Sequence, residues 1–447
     1  MKQGTKDLTN GPLLKQIIIF SLPLMLSNIL QVLFNMADVA VVGRFAGPLA
    51  LGAVGSTTTL IALFTGSLIG FSSGINVLVA LAVGAKNKRD TEETVHTAFI
   101  ISGVIGVALM LVGIASAYRI LVLLGTKPEL IRGAVIYLRI YLLGIPALAL
   151  YNFGNAVLSA VGQTRRPLIY LTLSGMLNVV LNLCLVIGFN MGVQGVAIAS
   201  MISQYLSAGL ILGDLFRCKE DYGLCRQKIR VKRDKAKRIL QLGVPSGIQN
   251  GIFYVANLFV QLGVNSFNAT VVAGNAAAAN ADNIVYDMMA AFYTACGSFI
   301  GQNLGAKKKD RILKSYLISM LYAFVCGMIL GFGLAFAGER FLAIFTTDGA
   351  VVEAGMERLK LMGATYCISA FMDCSIAASR GLGKSFVPVV IIFFGAVVFR
   401  IVWIYTVFAY FHTTSALYLL FVCSWIPTAI AGNIYFAKAY REAVRTL

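Results

Sequence analysis

Apolar residues occur along this chain in twelve long runs, each separated from the next by a short polar or glycine-rich loop. The runs extend over about 14–43, 49–83, 94–117, 130–160, 166–188 and 192–216, then 236–265, 270–300, 312–336, 351–380, 386–410 and 413–437. A helix needs roughly 20 apolar residues to cross a bilayer, and every run reaches that length. None alternates with a period of two, which excludes a closed β-barrel, the other architecture that satisfies its backbone polar groups in lipid. The pattern predicts an all-α integral membrane protein with twelve transmembrane helices.

Charge then orients those helices. Of the 37 Lys and Arg residues, 28 fall in the N-terminal tail and in every second loop, at 84–93, 162–167, 217–238, 305–314, 380–385 and 438–447. The intervening loops hold four, Arg44, Arg119, Lys127 and Arg340. By the positive-inside rule both termini are cytoplasmic. A net charge of +18 could suit a nucleic-acid partner, but the basic residues are shared among short loops and form no continuous stripe, so none is expected. Membrane lipids are the expected neighbours of those loops. Composition is that of a chain living in lipid, with 58% hydrophobic and 13% charged residues. The first 13 residues mix Lys2, Lys6 and Asp7 with a polar turn, and the run behind them is too long for a signal-peptide core, so the first helix is expected to be retained.

The second six runs repeat the first six. Pro23 with Asn28 recurs as Pro245 with Asn250, at an offset of 222; Gly84-Ala85-Lys86 recurs as Gly305-Ala306-Lys307, and Gly162 to Pro167 as Gly383 to Pro388, at an offset of 221. A near-constant offset over separated landmarks marks an internal duplication. Six helices are an even number, so the copies share one orientation and relate by a pseudo-twofold axis along the membrane normal, a plan of secondary transporters whose substrate site lies between the halves. The expected division is an N-terminal lobe at 1–216, a basic cytoplasmic linker at 217–235 and a C-terminal lobe at 236–447.

Chemistry-bearing residues are few. Eight cysteines lie in apolar runs or the reducing basic loop and form no disulfide framework, and His96 and His412, without CxxC or HExxH, make no metal centre. No nucleophile, base or metal constellation is present, so the chain reads as a non-enzyme without a cofactor. The informative residues are charges inside spanning helices, each costing about 2.5–3.5 kcal/mol. Asp38 lies six residues before Arg44, hence about 9 Å from the outer end of the first helix. Asn178, Asn182 and Ser200 fall near the same depth, with Asn152 and Asn155 further inward. Such a group of oxygens can hold a desolvated Na⁺, with Asp38, Asn178 and Ser200 as its ligands, or carry a proton on the carboxylate. Pro23 interrupts the same helix and is the candidate hinge. In the second half Asp282, Asp287, Asp373 and Arg400 form a second charged group, in which Asp373 and Arg400 come out at similar depth as an ion pair or as a second coupling site.

These features resemble the multidrug and toxic compound extrusion (MATE) family. The likeness rests on the two six-helix halves, Pro23, the run Asp38-Val39-Ala40-Val41-Val42-Gly43, the duplicated Gly-Ala-Lys loops, the Gly162-Gln163-Thr164 turn and Gly192 to Ala197 opening the sixth helix. It implies a monomeric antiporter of a bacterial inner membrane that exports amphipathic, often cationic drugs in exchange for H⁺ or Na⁺ by alternating access. Asp38 then matches the coupling acid and Pro23 the bending proline, with Gln31, Tyr137, Asn152, Asn155, Asn178 and Ser200 as polar partners. Asn182 stands where members of this branch often carry Asp, and Asp373 matches an acid of another branch, whose partner is lacking in 251–263. An adaptable aromatic and Met-rich pocket is expected from Gln31, Phe34, Met36, Tyr137, Met176 and Met201. The alternative is a flippase for lipid-linked oligosaccharides or other lipids, of related two-lobe plan, whose cavity should be richer in Lys and Arg than Arg139 and Arg400 provide.

Overall fold

The computed structural model describes residues 6–447, and every regular element among them is helical. We label the long helices α1 (Leu13–Ala46), α2 (Pro48–Gly84), α3 (Lys88–Leu123), α4 (Pro128–Leu143 with Ile145–Ala160), α5 (Arg165–Gly188) and α6 (Gly192–Arg217). The second set is α7 (Arg233–Val264), α8 (Ala269–Gly305), α9 (Lys309–Leu342), α10 (Gly349–Gly381), α11 (Phe386–Phe411) and α12 (Thr414–Arg445). Ten of these are long and apolar enough to cross a membrane, and α4 makes an eleventh if its two pieces, set at 44°, form one span. That bend falls at Gly144, where Pro146 cannot donate a backbone hydrogen bond. The remaining helix, α7, has the length at 32 residues but not the apolarity. Its amides Gln241, Gln249, Asn250, Asn257 and Gln261 dilute the run that twelve apolar spans would require.

Helix ends follow local chemistry. Asn87, Asn268 and Asp348 accept from backbone N–H groups in the first turns of α3, α8 and α10, at 3.0, 3.0 and 2.9 Å, which satisfies donors left over at a helix start. The duplication is written into the backbone as well. Left-handed residues recur in pairs: Lys86 with Lys307 and Gly162 with Gly383 at an offset of 221, and Asn190 with His412 at 222. Two single-residue slips separate these registers, and each coincides with a π-turn present in one copy, at Val42–Ala46 in α1 and at Phe393–Val398 in α11. A π-turn is how a helix absorbs one inserted residue.

Two compact units result. One holds Leu26–Gly247 with residues 6–7; the other holds Leu8–Met25 with Ile248–Leu447. The units therefore interleave in sequence, because α1 and α7 each divide between them shortly after Pro23 and Pro245, and the basic loop lies in the first unit. Within each unit small residues let helices approach closely, as expected in lipid. A Cβ on Gly331 would stand 2.1 Å from the Gly363 carbonyl, and one on Gly74 would stand 2.6 Å from the Gly243 nitrogen. The basic loop is folded onto the start of α3. His96, buried there, accepts from the Cys225 N–H through Nε2 at 2.9 Å, while its Nδ1 lies 2.7 Å from the Glu92 carbonyl. Lys228, Lys232 and Lys235 pair with Glu92, Glu93 and Asp90.

Candidate functional site

The first unit brings Asp38 of α1 against α5 and α6. Its Oδ1 accepts from Asn182 Nδ2, and its Oδ2 accepts from Ser200 Oγ at 3.2 Å. Asn182 Nδ2 also donates to Asn178 Oδ1 at 3.2 Å, and Asn178 Nδ2 reaches Ser200 Oγ at 3.5 Å. Asn178 and Asn182 are one turn apart on α5, so the 3.6-residue period places both amides on the same stripe facing α1. Asn182 is 0% exposed, yet its Oδ1 has no hydrogen-bond partner. The group is thus a set of side-chain oxygens around one carboxylate, and both hydrogen-bond partners of that carboxylate, Asn182 and Ser200, are neutral. Among the described residues no ion pair involves Asp38. An orphaned buried carbonyl oxygen beside an uncompensated carboxylate has the donor chemistry to hold H⁺ or a small cation.

The other expected members divide. Tyr137 is buried on α4, stacked on Tyr141 at 6.2 Å, and both lie within electrostatic range of Asp38. Asn152 turns to its own helix, donating to the Leu148 carbonyl at 3.0 Å, and Asn155 accepts from Ser159 at 3.4 Å. The structure therefore does not bring these two amides into the Asp38 group. The resemblance implies them as partners although they lie further inward than Asp38, and their hydrogen bonds instead stay within α4. Phe34 packs edge-on into the gap left by Gly175, where a Cβ would stand 1.9 Å from the ring. Met36 and Met201 are half-buried, Gln31 is exposed and Met176 is 59% exposed. Pro23 is buried within an uninterrupted α1.

The charged residues of the second unit pair differently from the expectation. No ion pair joins Asp373 to Arg400 among the described residues. Arg400 donates through Nη1 to Asn257 Oδ1 at 2.8 Å and lies over the Phe421 ring at 4.7 Å. The buried ion pair is between Asp282 and Arg358, with Tyr366 donating to the other carboxylate oxygen and Asn275 accepting from Arg358. Depth placed Asp373 and Arg400 on one level, but helical phase points the two side chains to different neighbours. Asp373 leaves Oδ2 unpartnered and senses Arg380, two turns along the same helix. Asp287 lies near Tyr254. Arg358 and Tyr366 were missed as partners; the signal for the first was a second Arg inside an apolar run.

Comparison with known proteins places this geometry in context. The MatE family profile matches residues 23–184 and again 245–406, so each match covers one copy of the duplication and begins at its proline. The probable multidrug resistance protein NorM of Thermotoga maritima is 26% identical over 392 residues, covering 85% of this chain and 82% of the relative. The probable multidrug resistance protein YoeA of Bacillus subtilis is 25% identical over 436 residues, covering 95% and 93%. Among solved structures a MOP superfamily transporter from Pyrococcus furiosus superposes with a TM-score of 0.92 at 21% identity, covering 99% of both chains. That likeness shows the fold.

Proposed function

The chain belongs to the MatE family, and on that premise we propose that it is a secondary active antiporter exporting amphipathic, often cationic drug-like compounds in exchange for H⁺ or Na⁺. The observation that carries this reading is Asp38, a carboxylate inside a spanning helix held by Asn182 and Ser200 alone. A permanently paired acid could not exchange its ligand; this one can. The cation enters from outside and neutralises Asp38, which loosens its hold on Asn182 and Ser200 and frees α1 to bend at Pro23. Asn178 supplies a further oxygen for Na⁺. Cargo, held by side chains such as Phe34, Met36, Tyr137, Met176 and Met201, leaves by the same route before the unit returns. The protein acts as a monomer in a bacterial inner membrane with both termini cytoplasmic, the lobes alternating their access across the basic linker.

Energetics support the scheme. Exchange requires cation and cargo to prefer different states, since a ligand indifferent to state shifts nothing. One charge moving inward across 100 mV contributes about 2.3 kcal/mol, and each pH unit contributes about 1.4 kcal/mol. A monocationic drug leaving for one proton is electroneutral and draws on the pH term alone, which limits its accumulation to roughly tenfold per pH unit.

The test is dye efflux from proteoliposomes with the pH and Na⁺ gradients imposed separately. One gradient is expected to drive ethidium uphill in the wild type and to fail in Asp38→Asn. Asparagine preserves the shape, and its Oδ1 can still accept from Asn182, so the variant should insert and melt as the wild type does. Gradient-driven efflux at the wild-type rate by Asp38→Asn would sink the assignment.

A further inference from the structure

The duplication gives every residue of the Asp38 site a counterpart in the second unit, and the two π-turns fix the register. Before Val42 and after Phe393 the offset is 222, and between Gly84 and Gly162 it is 221. Asp38 then corresponds to Val260, Asn182 to Ile404, Ser200 to Val422, Asn178 to Arg400 and Tyr137 to Arg358. Each oxygen ligand of the first unit is replaced by an aliphatic side chain or by a guanidinium. The second copy has inverted the polarity of the site.

The structure shows what the replacement built. Arg358 and Arg400 both lie against the Phe421 ring, at 5.5 and 4.7 Å from its centroid. One acid serves the pair: Asp282 is bound to Arg358 and further engaged by Tyr366. Arg400, 3% exposed, has a single acceptor, Asn257 Oδ1, and its buried Nε has no partner. The charged neighbour that Arg400 senses is another cation, Arg358. A guanidinium keeps its proton in proteins, so this one cannot escape its position by neutralising itself. A cation–π contact of about 2 kcal/mol does not replace a counter-charge in low dielectric. Asn257, which accepts from Arg400, is exposed.

We propose that Arg400, with Asn257, Phe421 and Arg358 around it, forms a binding site for a monoanionic group in the second unit, opposite in sign to the site at Asp38. Two sources carry that chemistry: a free halide such as chloride, and a carboxylate borne by a zwitterionic cargo. The site stands on its own geometry, and only the second source rests on the export reading. A planar guanidinium with a free Nε–H suits either, accepting a carboxylate side-on or a halide between two donors.

The chain supplies its own reporter. Its two tryptophans both sit beside this site: Trp403 is three residues from Arg400 on α11, and Trp425 lies 6.1 Å from the Phe421 ring. Iodide quenches indole emission on contact. In the purified full-length protein, iodide is expected to quench with a saturable phase that chloride and formate reverse, on top of a linear collisional background. Arg400→Gln should weaken the saturable phase about tenfold or more, the loss of one charge-assisted contact, while Arg400→Lys retains it. Strictly linear quenching of the wild type would overturn the proposal whether or not the variants fold. A zwitterionic xanthene dye that displaces iodide, where its ethyl ester does not, would assign the site to cargo carboxylate; displacement by neither would assign it to free halide. Binding is read without transport, so a failed efflux assay and a failed anion site remain separate results.

Discussion

Removing the Asp282 carboxylate is the sharpest perturbation the second unit offers. Arg358 donates through Nε to Asp282 at 3.1 Å and through a second nitrogen to the same oxygen, donates to Asn275, and rests over Tyr418 and Phe421 at 5.4 and 5.5 Å. The side chains of Arg358 and Asp282 are 7% and 17% exposed, so water cannot substitute for the lost acid. Breaking a buried pair from one side costs about 3–5 kcal/mol, because the surviving charge is left uncompensated. Asp282→Ala should fall in that range, and more steeply than most sites because Arg400 adds a second cation nearby. Tyr366→Phe deletes one hydrogen bond to a charged group and should cost about 1.5–3 kcal/mol. The double change Asp282→Leu with Arg358→Met removes both charges and should recover most of the loss, since an apolar pair of similar volume is often neutral. Reversible unfolding in mixed micelles by titration with a denaturing detergent measures all three. An Asp282→Ala loss below about 1 kcal/mol, or a double variant no better than the single, would refute the account of the pair as the counter-charge of this unit.

Three further outcomes follow from the packing. Gly175→Ala should push the Phe34 ring off α5 at a cost of about 1–3 kcal/mol and disturb the Asp38 group one turn away; unchanged melting and unchanged efflux would show that the ring moves freely. Gly331→Ala meets the Gly363 carbonyl, which has no flexible escape, so it should destabilise more than Gly175→Ala in the same melting assay. His96→Ala deprives the Cys225 N–H of its acceptor, at about 1–3 kcal/mol, and should release the basic loop; trypsin should then cut at Arg226 or Arg230 faster than in the wild type, and equal rates would show that the ion pairs and the Lys232–Thr97 hydrogen bond hold the loop without it.

How legible this was in the sequence depended on whether one dimension sufficed. Apolar run length and the basic-loop alternation are one-dimensional, and they located twelve helices, of which α7 proves too rich in amides to count as apolar. Asp38, Asn178, Asn182 and Ser200 were found by depth because three helices carry them at one level, and there depth coincided with facing. For Asp373 and Arg400 it did not. Facing depends on helical phase after a bend or a π-turn, and an inserted residue rotates everything beyond it by about 100°, one residue's share of a 3.6-residue turn. The residue inserted ahead of Arg400 shows only in the backbone, where the left-handed Asn190 and His412 pair at an offset of 222, beyond the last sequence landmark at 221.

The interleaving of the two units bears on how the chain is made. Leu8–Met25 leaves the ribosome ahead of Leu26–Gly247, yet the unit to which it belongs resumes only at Ile248. The opening half of α1 must therefore wait through the synthesis of nearly the whole first unit before its own neighbours exist, and that unit in turn lacks its last piece until α7 emerges. A gene cut at the basic loop would yield two fragments, neither holding a complete unit. Only their co-expression could regenerate the native pairing of segments.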